Sequence, residues 1–280
     1  MGKRFWVGLL LASLVGTAFA AGPREVRKQI ESSLLVDGTI DINADGSVAG
    51  YALPRGTKLP AGLVGMIDRV VPQWRFEPVE LRQGTTRARA TMNLRFVAKK
   101  LDDGNFSLEI RAAQFGGGAP EESVSSLKRM NPPRYPEMAA RAGVGGTVYT
   151  VLKIGRDGRV EEAIAQQVNL RVVADEASMQ RWRDLLAKAT LRAAKDWTFL
   201  PPAKGEDVDA PYWSARVPVD FVAPGTKLAD DHQWHAYVPG PRAQIPWRDG
   251  KSDAGADAFA AGGVYPLDGG PRLLTALNPS

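Results

Sequence analysis

Two histidines offer the most obvious chemistry in this sequence. His232 and His235 directly follow Asp230 and Asp231, and an H-x-x-H pair beside two carboxylates could hold a metal ion. The surrounding segment has no helical or strand periodicity, however, and two imidazoles without an ordered scaffold make a weak site. We therefore expect these side chains to belong to a polar segment, and we predict no metal site.

Other catalytic patterns are missing from the sequence. These two histidines are the only ones in the chain, so a nucleophile–His–acid triad has no plausible scaffold. The run Gly116-Gly117-Gly118 is followed by Ala-Pro instead of a phosphate-binding turn. The acidic pair Glu161-Glu162 would alternate across a strand, so its carboxylates would diverge. We predict no catalytic residue, no cofactor and no enzymatic activity.

Composition narrows the class of protein further. With 280 residues, 44% hydrophobic and 24% charged, the chain is long enough for two small globular domains. A formal net charge of +5 is too mild to indicate nucleic-acid binding. The sequence contains no cysteine, which excludes disulfides and cysteine-ligated metals.

The first twenty residues have the pattern of an export signal. Lys3 and Arg4 precede an apolar run from Phe5 to Val15, and Ala18-Phe19-Ala20 is a small-x-small cleavage pattern. We predict a signal peptide at residues 1–20 that is cleaved near Ala20. The alternative is an uncleaved anchor, for which the apolar stretch is at the short limit for spanning a bilayer.

Several motifs organise the second half of the chain. Asn131-Pro132-Pro133-Arg134-Tyr135-Pro136 should form a stiff extended arm, because residues before proline avoid the helical region, and Pro136 should start a short helix. The simplest role for Tyr135 is packing on the core. An alternating run from Thr147 to Ile154 then turns at Asp157-Gly158, which predicts a β-hairpin.

An amphipathic helix and a closing strand follow the hairpin. The helix has an apolar face made of Met179, Trp182, Leu185, Leu186, Ala189 and Ala193. Its basic residues, Arg181, Arg183, Lys188, Arg192 and Lys195, should form a solvated face. In Trp197-Thr198-Phe199-Leu200-Pro201, we expect the Trp to pack the helix end onto the sheet. The last strand, Trp213–Val222, contains Pro218 and is therefore predicted to be an edge strand.

The first half repeats this order in weaker form. The sequence predicts a helix at Pro23–Ser33, a strand at Leu34–Ile42, a turn at Asn43-Ala44-Asp45-Gly46, a strand at Ser47–Leu53, a helix at Ala61–Val71 and a strand at Arg87–Val97. Trp74-Arg75-Phe76-Glu77-Pro78 matches the later Trp-x-Phe-x-Pro motif. We interpret the first half as a degenerate copy of the second that lacks the Tyr-Pro segment.

Residues 131–221 resemble the C-terminal domain of the TonB energy-transducer family. The resemblance rests on five features that occur in the family's order: Tyr-Pro-x-x-Ala, Gly-x-Val, the Asp-Gly hairpin, Trp-x-Phe-x-Pro and the closing strand. The resemblance implies an α+β fold of two tandem TonB-C-like β-β-α-β modules, each an antiparallel three-stranded sheet with a helix packed on one face. The expected organisation is a signal peptide at 1–20, a degenerate module at 24–111, a linker at 112–130, a TonB C-terminal-like domain at 131–224 and a flexible tail at 225–280. The tail has 8 Gly and 6 Pro in 56 residues, which predicts that most of it is disordered.

The resemblance also implies a function. Domains of this family bind the Ton-box peptide of an outer-membrane TonB-dependent receptor by β-strand addition, in energy-dependent transport across the outer membrane. It implies a non-enzymatic periplasmic protein whose peptide contacts come from Asn131, Pro132, Pro133, Arg134, Tyr135, Pro136, Val217, Val219 and Phe221.

Three alternatives stay open. If the N-terminus is uncleaved, the protein would be anchored in the inner membrane facing the periplasm, with an inner-membrane proton-driven complex as a partner. The chain could also self-associate. Finally, it could be a periplasmic scaffold whose two modules pack on each other edge to edge and bind no receptor.

Overall fold

The computed structural model describes residues 22–54, 59–81, 84–116, 120–227, 232–248 and 261–279, so the predicted signal peptide and the pair Asp230-Asp231 lie outside the described residues. The helices are α1 (Pro23–Arg27), α2 (Ala61–Val70), α3 (Glu137–Arg141) and α4 (Glu176–Ala194). The strands are β1 (Glu31–Ile42), β2 (Val48–Ala52), β3 (Ala88–Lys100), β4 (Phe106–Gly116), β5 (Ser125–Ser126), β6 (Gly146–Gly155), β7 (Val160–Leu170), β8 (Phe199–Leu200), β9 (Tyr212–Phe221), β10 (His235–Tyr237) and β11 (Tyr265–Pro266). Within those ranges, every helix is too short or too polar to cross a lipid bilayer.

Two antiparallel sheets form the framework. In the first, β1 pairs with β3, β3 pairs with β4, and the other edge of β1 takes β2 and β10. In the second, β6 is flanked by β7 and β9, and β11 adds to β9. The predicted α+β class with antiparallel sheets is therefore confirmed.

The two halves share a local contact between the hairpin and the Trp-x-Phe motif. The N–H of Phe76 donates to the carbonyl of Gly46 at 2.8 Å, and the N–H of Phe199 donates to the carbonyl of Gly158 at 2.8 Å. Both glycines have positive φ, and a Cβ there would come within 2.0 Å and 2.1 Å of the matching Phe oxygen. This explains why glycine occupies both turns. That the first half is a copy of the second stays a prediction.

The two tryptophans of these motifs lie in the core, as predicted. Trp74 is 0% exposed and packs with α2 and the inner faces of β1 and β3. Trp197 is 4% exposed and packs with Phe199 and Trp213. The apolar face of α4 contributes Met179 and Leu186 to a neighbouring cluster.

Some elements differ from the sequence prediction. Strand β4 was not predicted, so the expected linker at 112–130 begins inside a strand and its later part pairs with β8 through β5. Helix α1 stops at Arg27, short of the predicted Ser33, because the chain from Glu31 onwards pairs with β3. In the part of the predicted Gly-rich linker that the structure describes, Gly116 belongs to β4.

The expected disorder of the C-terminal segment is wrong for its described residues. Strand β10 pairs with β1, Val238 forms a bridge with Leu170, and β11 pairs with β9. Arg183, predicted on a solvated face, is 3% exposed because this segment covers it, and it donates to the carbonyl of Pro239 at 3.2 Å. The segment has too few apolar residues to fold by itself. It is ordered because its backbone groups form hydrogen bonds with strands of both sheets.

Candidate functional site

The outer edge of β9 is the best candidate for a binding surface. Its inner edge pairs with β6 along the whole strand. On the outer side, the carbonyl of Ser214 accepts from the N–H of Leu267 at 2.9 Å, and the carbonyl of Pro218 accepts from the N–H of Gly262 at 3.1 Å. Because the N–H and C=O of a strand residue point to one side, the donor missing from Pro218 also faces outward. The missing donor is therefore tolerated as expected, but β9 is not the terminal strand that the sequence predicted, because β11 pairs with its outer side.

The side chains predicted to contact a peptide on β9 point elsewhere. Val217 is 1% and Phe221 3% exposed, and both pack in the core together with the half-buried Val219. Their backbone groups face β6, because they alternate with Ser214 and Pro218 along the strand. The prediction therefore named the wrong residues of β9. A strand added on the outer side would pair with the backbone of the alternate residues, which include Ser214 and Pro218.

The opposite face of β9 is polar but buried. Arg216 is 1% exposed and donates to the Gln166 side-chain oxygen at 2.6 Å. The Ser214 hydroxyl accepts from the indole N–H of Trp247 at 3.2 Å. Residues near the C-terminus therefore close over this face.

The arm at residues 131–136 lies beside the end of β9. The indole N–H of Trp197 donates to the carbonyl of Asn131 at 2.9 Å, which fixes the start of the arm. Tyr135 donates its hydroxyl to the carbonyl of Val144 at 2.6 Å, and its ring packs edge-on against Phe221 with centroids 5.3 Å apart. Burial raises the pKa of the Tyr135 hydroxyl, so it stays protonated as a donor at neutral pH.

The arm thus has an anchored and an exposed part. Pro132 and Arg134 are exposed, while Pro133 and Pro136 are half-buried. Helix α3 begins directly after Pro136, as the sequence predicted. Tyr135 has the core role expected for it, and the structure brings the arm and Phe221 together.

An ion pair that the sequence did not reveal lies at the end of β9. Arg171 donates to a carboxylate oxygen of Asp220 at 2.8 Å and to the carbonyl of Phe221 at 2.8 Å. The hydroxyl of Thr147 donates to the same carboxylate oxygen at 2.6 Å. These bonds tie β7, β6 and β9 together where the arm meets the sheet. Nothing in the sequence pattern marked Arg171 or Asp220, because they come together only through strand pairing.

A small polar cavity lies between the two sheets. It is lined by Arg95, Thr147, Tyr149, Asn169, Arg171, His235 and Tyr237. Arg95 donates to the Ser33 hydroxyl at 2.6 Å and to the Tyr149 hydroxyl at 3.2 Å, which joins the first half to the second. His235 lies 3.1 Å from the same Ser33 hydroxyl. Burial, and then the positive charge of Arg95, lowers the pKa of the His235 imidazole.

The two histidines take different places in the fold. His232 contacts the Asp37 carboxylate at 3.2 Å, whereas His235 faces the cavity. Among the described residues, no three His, Asp or Glu side chains form a group that could hold a metal. Each histidine therefore has a structural contact of its own with β1 or the residues beside it.

Comparisons with known proteins point to the second half of the chain. The family described as the Gram-negative bacterial TonB protein C-terminal matches residues 131–222. Two proteins named Protein TonB, from Xanthomonas campestris pv. campestris strains B100 and ATCC 33913, are each 33% identical over 97 residues, covering 34% of this chain and 37% of their own length. The chain therefore spans little more than a third of these relatives. No solved structure matches the chain. Residues 131–222, with the hairpin, the Trp-x-Phe-x-Pro motif and the closing strand β9, are a domain of the TonB C-terminal family.

Proposed function

We propose that this chain is a non-enzymatic, periplasm-facing TonB-family protein that binds a peptide of an outer-membrane transporter and takes part in energy-dependent transport. Peptide binding occurs by strand addition on the outer edge of β9. The observation that carries this proposal is that Ser214 and Pro218 turn their backbone carbonyls away from β6 and already accept hydrogen bonds from an added segment. An edge that pairs with one extended segment can pair with another.

The arm supplies the second part of the site. Its exposed residues, Pro132 and Arg134, lie on the segment that Trp197 and Tyr135 hold beside β9. A peptide lying along β9 would obtain backbone hydrogen bonds from the strand and side-chain contacts from the arm. Asn131, Pro133 and Pro136 hold the arm in its extended shape, and Val217, Val219 and Phe221 support β9 from below.

The N-terminal pattern supports export, with a signal peptide cleaved near Ala20 and a periplasmic location. An uncleaved inner-membrane anchor, with a proton-driven complex as a further partner, is the alternative. Mass spectrometry of the exported protein distinguishes them, because cleavage leaves an N-terminus near Ala21 or Gly22 and an anchor keeps Met1.

Crosslinking in cells tests the proposed function. A photoreactive residue in place of Val222, which is 37% exposed directly after β9, should form an adduct with an outer-membrane transporter. Val173 is equally exposed, at 37%, but follows β7 on the far side of β6, and it is the matched control. The same adduct from both positions, or none from Val222, would contradict strand addition at β9.

A scaffold role is the second candidate. It is favoured by the buried contact of Arg95 with Tyr149, which joins the two halves through the sheet faces that point away from α2 and α4. The predicted edge-to-edge packing is not what the structure has, because β9 pairs with residues 265–266 and not with β3. A scaffold of this kind would bind no transporter, so the Val222 crosslink separates the two functions.

A further inference from the structure

Part of the C-terminal segment occupies the proposed binding edge. We define residues 261–268 as the strap. Within it, Tyr265 and Pro266 pair antiparallel with Arg216 and Ala215 of β9. Beside this ladder, Gly262 and Leu267 donate one backbone hydrogen bond each to the carbonyls of Pro218 and Ser214, at 3.1 Å and 2.9 Å.

A buried ion pair holds the strap in this position. Arg248 is 9% exposed and forms two hydrogen bonds with the Asp268 carboxylate, at 2.7 Å and 2.8 Å. The same guanidinium donates to the carbonyl of Leu267 at 3.0 Å. The preceding residue, Trp247, accepts a hydrogen bond at its carbonyl from the Tyr212 hydroxyl at 2.9 Å. The strap is thus fixed at one end to β9 itself.

The strap also contacts the first half of the chain. The ring of Tyr265 packs on Ala112 of β4, which is 0% exposed. Beyond the strap, the N–H of Leu274 donates to the carbonyl of Arg75 at 2.8 Å. The Asn278 side chain makes two hydrogen bonds, at 2.9 Å each, with the N–H and C=O of Ile110 in β4. The segment therefore lies between an edge of each sheet.

We infer that the strap is an internal competitor for the β9 edge, so that the protein as described is in a closed form. This inference rests on the proposed function, since it concerns access to the same edge. An incoming peptide has to displace the strap, because Ser214 and Pro218 cannot accept a second strand on the same side. The occupant that fits is an extended peptide with an aromatic side chain at the place of Tyr265, where Ala112 leaves room for a ring.

Loss of the two strap donors should open the edge. Proline has no backbone N–H and fixes φ near −65°, so the double variant Gly262→Pro/Leu267→Pro removes these two hydrogen bonds and cannot keep the φ of 88° at Gly262. The matched control is Leu274→Pro. It removes the hydrogen bond from the N–H of Leu274 to the carbonyl of Arg75, which lies in the first half of the chain and not on β9. The probe is a dye-labelled heptapeptide with the sequence of residues 262–268, added in trans and followed by fluorescence anisotropy.

We expect the double variant to bind the probe at least roughly 25-fold more tightly than the wild type, since each of the two hydrogen bonds removed from the competitor contributes about fivefold and the backbone change at Gly262 adds to this. The control should bind like the wild type. Equal binding by wild type and double variant, or no binding by either, would overturn the inference. Circular dichroism checks that each variant is folded.

A measurement on the wild-type chain keeps the test independent of folding defects. The amide of Leu267 should exchange slowly with solvent, and an excess of unlabelled probe peptide should accelerate its exchange. Fast exchange without the probe would mean that the strap is not docked. If the probe binds the double variant but a photoreactive residue at position 222 captures no transporter in that variant either, the strap stands and the proposed function falls. If position 222 captures a transporter while probe binding is the same in all variants, the proposed function stands and the inference about the strap falls.

Discussion

Replacing Trp197 with alanine should destabilise the second half severely. The side chain is 4% exposed and packs against Phe199 and Trp213. Truncating a buried tryptophan removes apolar contacts and leaves a cavity, at a cost of about 3–5 kcal/mol. Trp197→Phe keeps most of the apolar contact but loses the hydrogen bond to Asn131, so we expect a smaller loss of about 1–2 kcal/mol.

Urea unfolding followed by circular dichroism measures these losses through the midpoint and the m value. The control is Phe106→Ala, because Phe106 is 66% exposed and its truncation should change stability by less than about 1 kcal/mol. Trp197→Phe should also accelerate trypsin cleavage after Arg134, since the arm loses its first anchor. A loss below about 1 kcal/mol for Trp197→Ala would refute the assignment of this residue to the core.

The other predictions concern the hairpin turn and the cavity. Gly158→Ala should lower the urea midpoint strongly, because φ is 75° and the new Cβ would come 2.1 Å from the Phe199 oxygen. The control Gly50→Ala should change the midpoint little, because a Cβ at Gly50 meets nothing within 4 Å. An equal effect of both would argue against the turn contact. The lowered pKa of His235 means that the unfolded chain takes up its proton first, so the stability from the neutral imidazole is present above about pH 6.5 and is lost as pH falls. Thermal melts at pH 7.5 and 5.5 should therefore differ more for the wild type than for His235→Gln, and parallel shifts would count against this role.

The sequence predicted the second half well because its signals are local. The Asp-Gly turn, the helix after Pro136 and the buried Trp197 each depend on neighbours a few residues away. Proline within β9 correctly indicated that one side of this strand does not pair with β6, but the pairing of β11 on that side was not predicted. Strand β4 could have been found from Asp103-Gly104, since Asp103 accepts the N–H of Asn105 at 2.9 Å and Gly104 has φ 87°.

The features that the sequence did not predict depend on contacts between residues that are far apart in the chain. The C-terminal segment has few apolar residues, and it is ordered by strand edges that the two sheets provide. Arg183 is buried for the same reason, since its cover comes from Pro239. The choice between the two alternating sets of β9 residues needed the direction of the β6 pairing, which periodicity alone does not give.

The most direct test of the account is amide hydrogen exchange on β9 in the strap variant Gly262→Pro/Leu267→Pro. A Ton-box-like peptide should protect the outward-facing amides of Arg216 and Asp220, while the amides of Val217 and Val219, already paired with β6, should change little. Unchanged exchange at Arg216 and Asp220 with millimolar peptide would contradict the claim that this strand edge is where the protein binds its partner.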